Sequence, residues 1–340
     1  MKNGKPTIHE IARELNLDSS TVSRALNNSD RVTKKTIDRV TRKAEEMGYR
    51  RNLMASNLRK KKSNTIGVIV PRISRYFFSS TIAGIDEAAF AAGYNVIICQ
   101  SLEELEREQG IISNLMANQV DGVLISVSME TKNGRHLKQL RDSGIPLIFF
   151  DRHLKELEGS GKVLINDEDA AAKATGHLIE IGCKKIAHFT GPSTLQIYKS
   201  RLKGYRSGLR KYQLPYDPDL VVSSRLSEKD GIMSVKKILE KNSEIDGIFS
   251  ANDVAAIGAM KYLKSIGKKI PDDIALVGFS NEPISEVIEP ALTTIDQSPY
   301  EIGKIACSLL IEQIGNKTSD ANSRTIILES TLLERDSTKR

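Results

Sequence analysis

Two sets of residues in this chain have the types and spacing to do chemistry on a partner, and neither resembles a catalytic set. The first lies near the amino end: Thr7, Ser19, Ser20, Thr21, Ser23, Arg24, Asn27, Thr33 and Thr36. These are short donors grouped around one arginine. The planar fork of Arg24 suits guanine O6 and N7 taken together, whereas Ser19 and Ser20 discriminate bases less. Thr7, Thr21, Ser23, Asn27, Thr33 and Thr36 suit phosphate oxygens, which fix register without reading sequence. The second set is dispersed: Tyr76-Phe77-Phe78, Asp151-Arg152, Arg201, Asn252-Asp253 and Phe279-Ser280-Asn281. A carboxylate, an amide and a guanidinium beside aromatic faces suit a polyhydroxylated ligand. Catalytic signatures are missing. His9, His136, His153, His177 and His188 show no metal-ligand spacing, and there is neither a Gly-x-Ser-x-Gly elbow nor a phosphate loop. No metal or cofactor is expected, and His177 reads as a capping or partly buried helical histidine.

The elements that position these residues fill 340 positions, enough for two or more packed units. With 39% hydrophobic and 27% charged residues, the chain is neither a disordered nor a membrane composition. No run approaches the roughly 20 apolar residues of a membrane span, and Met1 to Pro6 lack the apolar core of a secretory signal. Cys99, Cys183 and Cys307 lie far apart, and their odd number suits reduced thiols in a cytoplasm. The net charge of +7 is unevenly placed. Residues 1–62 hold 16 Lys and Arg against 7 Asp and Glu, while the remainder holds 34 against 36. A basic head on a nearly neutral body predicts that the head meets a polyanion.

The head reads as three short helices. Ile8, Ile11, Ala12 and Leu15 repeat at helical spacing; Asp18 is placed to cap a second helix from Ser19 to Leu26; Thr33 caps a third carrying Ile37, Val40, Ala44 and Met47. Gly48 stops it. Ile11, Ala12, Leu15, Leu17, Val22 and Leu26 form a small core, which leaves the polar set facing outward as in a helix-turn-helix. The basic run Arg50 to Lys62 follows, interrupted by Leu53 to Leu58.

From residue 64 short apolar strands alternate with amphipathic helices. The strands read as Ile66–Val70, Asn95–Cys99, Gly122–Ser126, Pro146–Phe150, Val163–Ile165, Ile186–Phe189, Leu220–Val222, Gly247–Phe249 and Ile274–Val277. Such βα alternation implies an α/β body of doubly wound parallel sheets. The pattern divides near residue 160, at Glu158-Gly159-Ser160-Gly161. The expected organisation is a DNA-binding head (1–50), a linker (51–63), a first lobe (64–160 plus about 296–322) and a second lobe (161–295 plus about 323–340). In open α/β sheets ligands sit beyond the carboxyl ends of strands, where the dispersed set lies.

Thr21-Val22-Ser23-Arg24-Ala25-Leu26-Asn27, Val32-Thr33, Gly48-Tyr49, Asn52, Ala55 and Leu58 are joined by further motifs in order: Ile66-Gly67-Val68, Val120-Asp121-Gly122, Phe150-Asp151-Arg152, Arg201-Leu202-Lys203-Gly204-Tyr205, Asn252-Asp253 and Pro290 to Ile295. Through these the chain resembles the lactose-repressor (LacI/GalR) family of bacterial transcription regulators over nearly its whole length. The resemblance implies a helix-turn-helix head and a two-lobed periplasmic-binding-protein-like body. It implies a regulator, a repressor, that binds a palindromic operator as a homodimer and answers to a small metabolite. It also implies a linker that becomes a hinge helix in the minor groove, where Leu58 wedges into the central base step with Ala55 on the same helix, in keeping with the physics of apolar wedges. Phe77, Phe78, Asp151, Arg201 and Asn252 match the family's ligand contacts, and Leu226 stands where some members carry a stacking aromatic.

Two departures matter. Arg51 replaces the proline most members have before Asn52. Ser280 replaces an aspartate that grips ligand hydroxyls, so that Asn281 or Glu282 is left to substitute for it. A sugar or sugar phosphate is favoured over a nucleobase. A regulator governed by a protein co-repressor, or a sugar-binding protein without DNA function, remain alternative readings.

Overall fold

The structure, a computed structural model, describes residues 6–49, 62–157, 159–242, 244–315 and 324–340, and divides the chain into units 1–61 and 62–340. Ala55 and Leu58 lie outside the described residues.

The head unit holds α1 (Ile8–Leu15), α2 (Ser19–Ala25) and α3 (Lys34–Glu46). Thr7 and Glu10 close a capping box on α1, satisfying the first-turn amides. Asn16 stops that helix in the left-handed region at φ 51°. Asp18 occupies the N-cap of α2 but its side chain makes no cap bond, unlike the expectation; Thr33 does cap α3. Ile11, Ala12, Leu15, Val22, Ala25, Val40 and Ala44 pack together, with Leu17 and Leu26 half-buried at the margin.

The body unit contains two parallel sheets. Strands β1 (Thr65–Val70), β2 (Asn95–Gln100), β3 (Gly122–Ile125), β4 (Leu147–Phe150), β5 (Gly161–Ile165) and β11 (Thr325–Leu328) form the first, ordered β11-β5-β4-β3-β1-β2. The second is β7-β6-β8-β9, from β6 (Ile186–Thr190), β7 (Val221–Ser223), β8 (Gly247–Ser250) and β9 (Ala275–Val277). A short antiparallel pair, β10 (Thr294–Asp296) with β12 (Thr331–Leu333), lies beside them. Both faces of the inner strand β1 are buried: Ile66, Val68 and Val70 pack into one cluster, Ile69 into another, as the alternation of a strand requires.

The expected division at residue 160 is displaced. Strand β5 pairs with β4, Ile148 opposite Gly161, so 161–165 belong to the first sheet, as do 325–328. The glycines that read as a linker include one that packing demands: a Cβ on Gly161 would lie 2.4 Å from Ile148 Cδ1 and 3.0 Å from Gln313 Nε2. The chain therefore passes between the lobes three times: after β5, after β10, and between β11 and β12.

Helices cover the sheets: α4 (Tyr76–Ala91), α5 (Leu105–Ala117), α6 (Arg135–Asp142), α7 (Asp167–Glu180), α8 (Gln196–Lys211), α9 (Glu228–Lys241), α10 (Asp253–Ser265), α11 (Ile284–Val287) and α12 (Pro299–Gly315). Of these, α4 and α12 approach so closely that Cβ atoms on Gly84 and Gly303 would meet Tyr300 O and Thr81 O at 2.0 Å. Among the described residues no helix is long and apolar enough to cross a membrane.

Candidate functional site

In the head, α2 presents Ser20 and Arg24 to solvent, and Arg24 has no side-chain partner among the described residues. Its five donors are left for an external acceptor. Ser19 is half-buried and hydrogen-bonded to His9 Nδ1 at 2.9 Å, which fixes its rotamer. Asn27 donates to Ser23 O at 2.6 Å. The Thr33 and Thr36 hydroxyls bond each other at 2.9 Å, and the Thr7 hydroxyl serves the capping box. Thr7, Thr33 and Asn27 thus shape the helices as well as standing at their exposed ends; Thr21 is half-buried on α2.

In the body, the carboxyl ends of both sheets open onto a cavity of about 570 Å³. The structure brings Phe77, Phe78, Asp151, Arg201, Asn252, Ser280 and Glu282 to its wall. Leu226 and Asn281 do not reach it. Leu226 is 0% exposed and packs in the core, with its carbonyl accepting from Asn252 Nδ2 at 2.9 Å. The Asn281 side chain is taken by Arg335 Nη2 at 2.8 Å. Asn252 spends its other amide atom capping α10, accepting from Ala255 N, so it lines the cavity mainly as a fixed post.

The two buried arginines are rigidly held. Arg201, 4% exposed, donates from Nε to Asp167 at 2.8 Å and from Nη1 to Ala251 O at 2.7 Å. Arg152 gives Nη1 to both Glu103 oxygens, at 2.9 and 3.1 Å, while Glu103 also accepts from Met129 N. Arg152 Nε is buried and makes no hydrogen bond among the described residues, lying 3.7 Å from Asp151 Oδ2. Burial pushes the Asp151 carboxyl above its ordinary range, against the pull of Arg152 and Arg201. Burial likewise raises Asp167 to about 6, with Arg201 opposing. Ser280 accepts from Gln297 Nε2 at 2.9 Å. Glu103, Asp151 and Ser280 all have left-handed backbones, at φ 69°, 59° and 108°. Such costly conformations concentrate where side chains must be aimed at a ligand. Across the cleft mouth Thr194 Oγ1, after β6, donates to Met129 O, after β3, at 3.2 Å.

Glu103, Tyr198, Arg225 and Gln297 line the cavity without having been expected. Glu103 follows β2, so the strand-end rule applied to the other strands would have found it. Among the described residues no group of acidic, histidine or cysteine side chains is arranged to hold a metal ion.

Residues 7–52 match the profile of bacterial regulatory proteins of the lacI family, and residues 175–338 that of a periplasmic binding protein-like domain. The ribose operon repressor of Halalkalibacterium halodurans is 32% identical over 333 residues, 98% of this chain and 97% of that protein. The HTH-type transcriptional repressor CytR of Escherichia coli K12 is also 32% identical, over 98% of this chain and 96% of its own length. The structure of transcriptional regulator CelR in complex with cellobiose superposes with a TM-score of 0.76 at 26% identity, over 98% of this chain and all of that one. With an exposed arginine on a helix of the head unit and a two-sheet cleft within the body unit, and with relatives alike along their whole length, the chain belongs to the lacI family of bacterial regulatory proteins.

Proposed function

We propose that the chain is a cytoplasmic, homodimeric transcriptional repressor, and that a sugar or sugar derivative bound in the body cleft governs its grip on a palindromic operator. One observation carries this reading. The cavity wall is drawn from strand ends of both sheets, so a single ligand touches both lobes and favours whichever lobe angle suits it. The shift it imposes on DNA binding equals its preference between those angles and no more.

Arg24 reads bases, with Ser19 and Ser20 beside it, and the threonines at the helix starts hold phosphates. Leu58 and Ala55 serve as the wedge of the hinge. Relatives named for repression, and one held with cellobiose, support the direction and the ligand class. The exposed Phe90 of α4, at 83%, and Ile97 and Ile98 on the edge strand β2 support a second copy packed on the first lobe. The Ser227 hydroxyl at the cleft is spent on Asp230 in the capping box of α9, and binding without turnover is the expected behaviour.

Fluorescence anisotropy with duplex fragments of the host's promoters tests the reading. A selected fragment binds at nanomolar protein with strong salt dependence, and one sugar or sugar derivative from a panel changes that affinity at least about fivefold. Equal binding to all fragments, or indifference to the whole panel, would defeat it.

A further inference from the structure

The donors and acceptors offered to a ligand in the cleft are unequal. Five arginines reach the cavity, and among the described residues only Arg152 and Arg201 have acidic partners at hydrogen-bond distance. Arg72, after β1, and Arg225, after β7, have neither an ion pair nor a side-chain hydrogen bond among the described residues; Arg75 faces Glu282. The acids at the wall are largely committed. Glu103 is held by Arg152 and Met129 N, Asp230 accepts from the amide and hydroxyl of Ser227, Asp151 accepts from Ser126 Oγ at 3.2 Å, and Glu282 is engaged by the Tyr76 backbone amide and faces Arg75. At Ser280, where the resemblance leads one to expect aspartate, a neutral hydroxyl already receives Gln297.

A neutral sugar brings as many O–H donors as acceptors and needs free acceptor oxygens to take them. This wall offers few, and it offers uncommitted guanidinium donors from both lobes. The complement of such a wall is an acceptor-rich, negatively charged ligand. The Nε of Arg152, a residue only 6% exposed, makes no hydrogen bond among the described residues and lies 3.7 Å from Asp151 Oδ2.

We propose that the effector is an acidic sugar, a polyhydroxylated molecule carrying a phosphate or carboxylate, whose charged group is read by Arg72, Arg75 and Arg225. The inference rests on the effector reading above and narrows its ligand class. Because the three arginines come from both lobes, the anion also ties the lobes together, and an acidic sugar favours the closed cleft more than its neutral parent does. Serine at 280 removes the carboxylate that would repel it.

Calorimetric titration of the full-length protein with matched pairs tests this: ribose and ribose 5-phosphate, glucose and glucose 6-phosphate, glucose and glucuronate, with orthophosphate alone as control. At least one acidic member binds about 30-fold more tightly than its neutral parent, and the gap narrows as salt is raised. The phosphate and carboxylate arms show which acid is read. Arg72→Gln and Arg225→Gln each cut the affinity of that acidic sugar about tenfold, and Ser280→Asp does the same by repulsion. A neutral parent that binds as tightly as its acid, or orthophosphate that binds as well as the sugar acid, overturns the proposal while leaving a sugar-governed regulator standing. Failure of every sugar, neutral and acidic, to bind or to alter operator affinity overturns both.

Discussion

The guanidinium of Arg201 lies over the ring of Phe279, 3.7 Å from its centroid, with Nε held by Asp167 and Nη1 by Ala251 O. Stacking and two fixed bonds use the plane and fork of arginine, which lysine lacks. Arg201→Lys therefore keeps the charge but not the aim. Effector affinity should fall about 10- to 100-fold, and the urea-unfolding free energy by about 1–3 kcal/mol, because Asp167 and the Ala251 carbonyl lose fixed donors in a buried site. Operator affinity of the free protein should move less than threefold in anisotropy titrations. Equal losses of operator and effector binding would place Arg201 in general folding instead.

Arg24 stands alone on the exposed face of α2, without an intramolecular bond to lose among the described residues. Arg24→Ala should leave the melting temperature within a degree or two. It should lower the ratio of operator to scrambled-DNA affinity by about 10- to 100-fold, the worth of one bidentate base contact. A uniform loss on both duplexes, with a shallower salt slope, would instead make Arg24 a phosphate contact.

How far these sites could be read from the chain alone differs between them for physical reasons. Helix starts and strand ends are local, so Thr33 at its cap and Asp151, Asn252 and Ser280 after their strands were all placed by short-range pattern. Glu103 was not picked out: although it follows β2, its place among Glu104, Glu106 and Glu108 makes it read as part of a solvated helical face. In the fold its backbone turns left-handed and its carboxylate faces Arg152, a residue 49 positions away. Glu108 from the same run is fully buried against Ser128, Thr131 and His136. The seam near residue 160 failed similarly, since the pairing of β5 with β11 joins segments about 160 residues apart and no local signal reports it. Leu226, expected at the ligand, points instead into the core; its left-handed backbone at φ 56° turns the loop after β7 so that Arg225, not its neighbour, lines the cavity.

Two helical glycines predict opposite outcomes for one substitution. A Cβ on Gly84 would sit 2.0 Å from Tyr300 O and 3.0 Å from Lys304 N, both backbone atoms of α12 that cannot swing away. The helix-propensity gain of about 1 kcal/mol is outweighed by forcing two packed helices apart. Gly84→Ala should cost about 1–3 kcal/mol in urea unfolding. Gly110, within α5, has nothing within 4 Å of its would-be Cβ, so Gly110→Ala should gain up to about 1 kcal/mol. The reverse order of the two variants would contradict the close approach of α4 to α12.

His188 gives the pH dependence a definite sign. Its ring lies between Tyr205 and Phe249, at 5.0 and 4.7 Å between centroids, with Nδ1 bonded to Phe249 O at 3.0 Å and Nε2 buried without a partner among the described residues. A carbonyl only accepts, so the proton sits on Nδ1. Protonating Nε2 would bury an unpaired charge near Arg201, and burial accordingly lowers the imidazole to about 4. The unfolded chain takes that proton near 6.5, so stability is intact above 6.5 and declines as the pH falls toward 4. Between pH 7 and 5 the loss from this one group is about 2 kcal/mol. Asp167 and Asp253 act the other way: burial raises both to about 6, and they add stability as the pH falls from 6 toward the ordinary carboxylate range. The wild-type curve alone mixes these effects, and a variant separates them. His188→Asn retains an amide to donate to Phe249 O but cannot titrate, so it should be less stable than wild type at pH 7, by a margin that shrinks about 2 kcal/mol by pH 5. Parallel curves for the two proteins in urea unfolding would show that His188 takes up its proton in the fold as readily as in the unfolded chain.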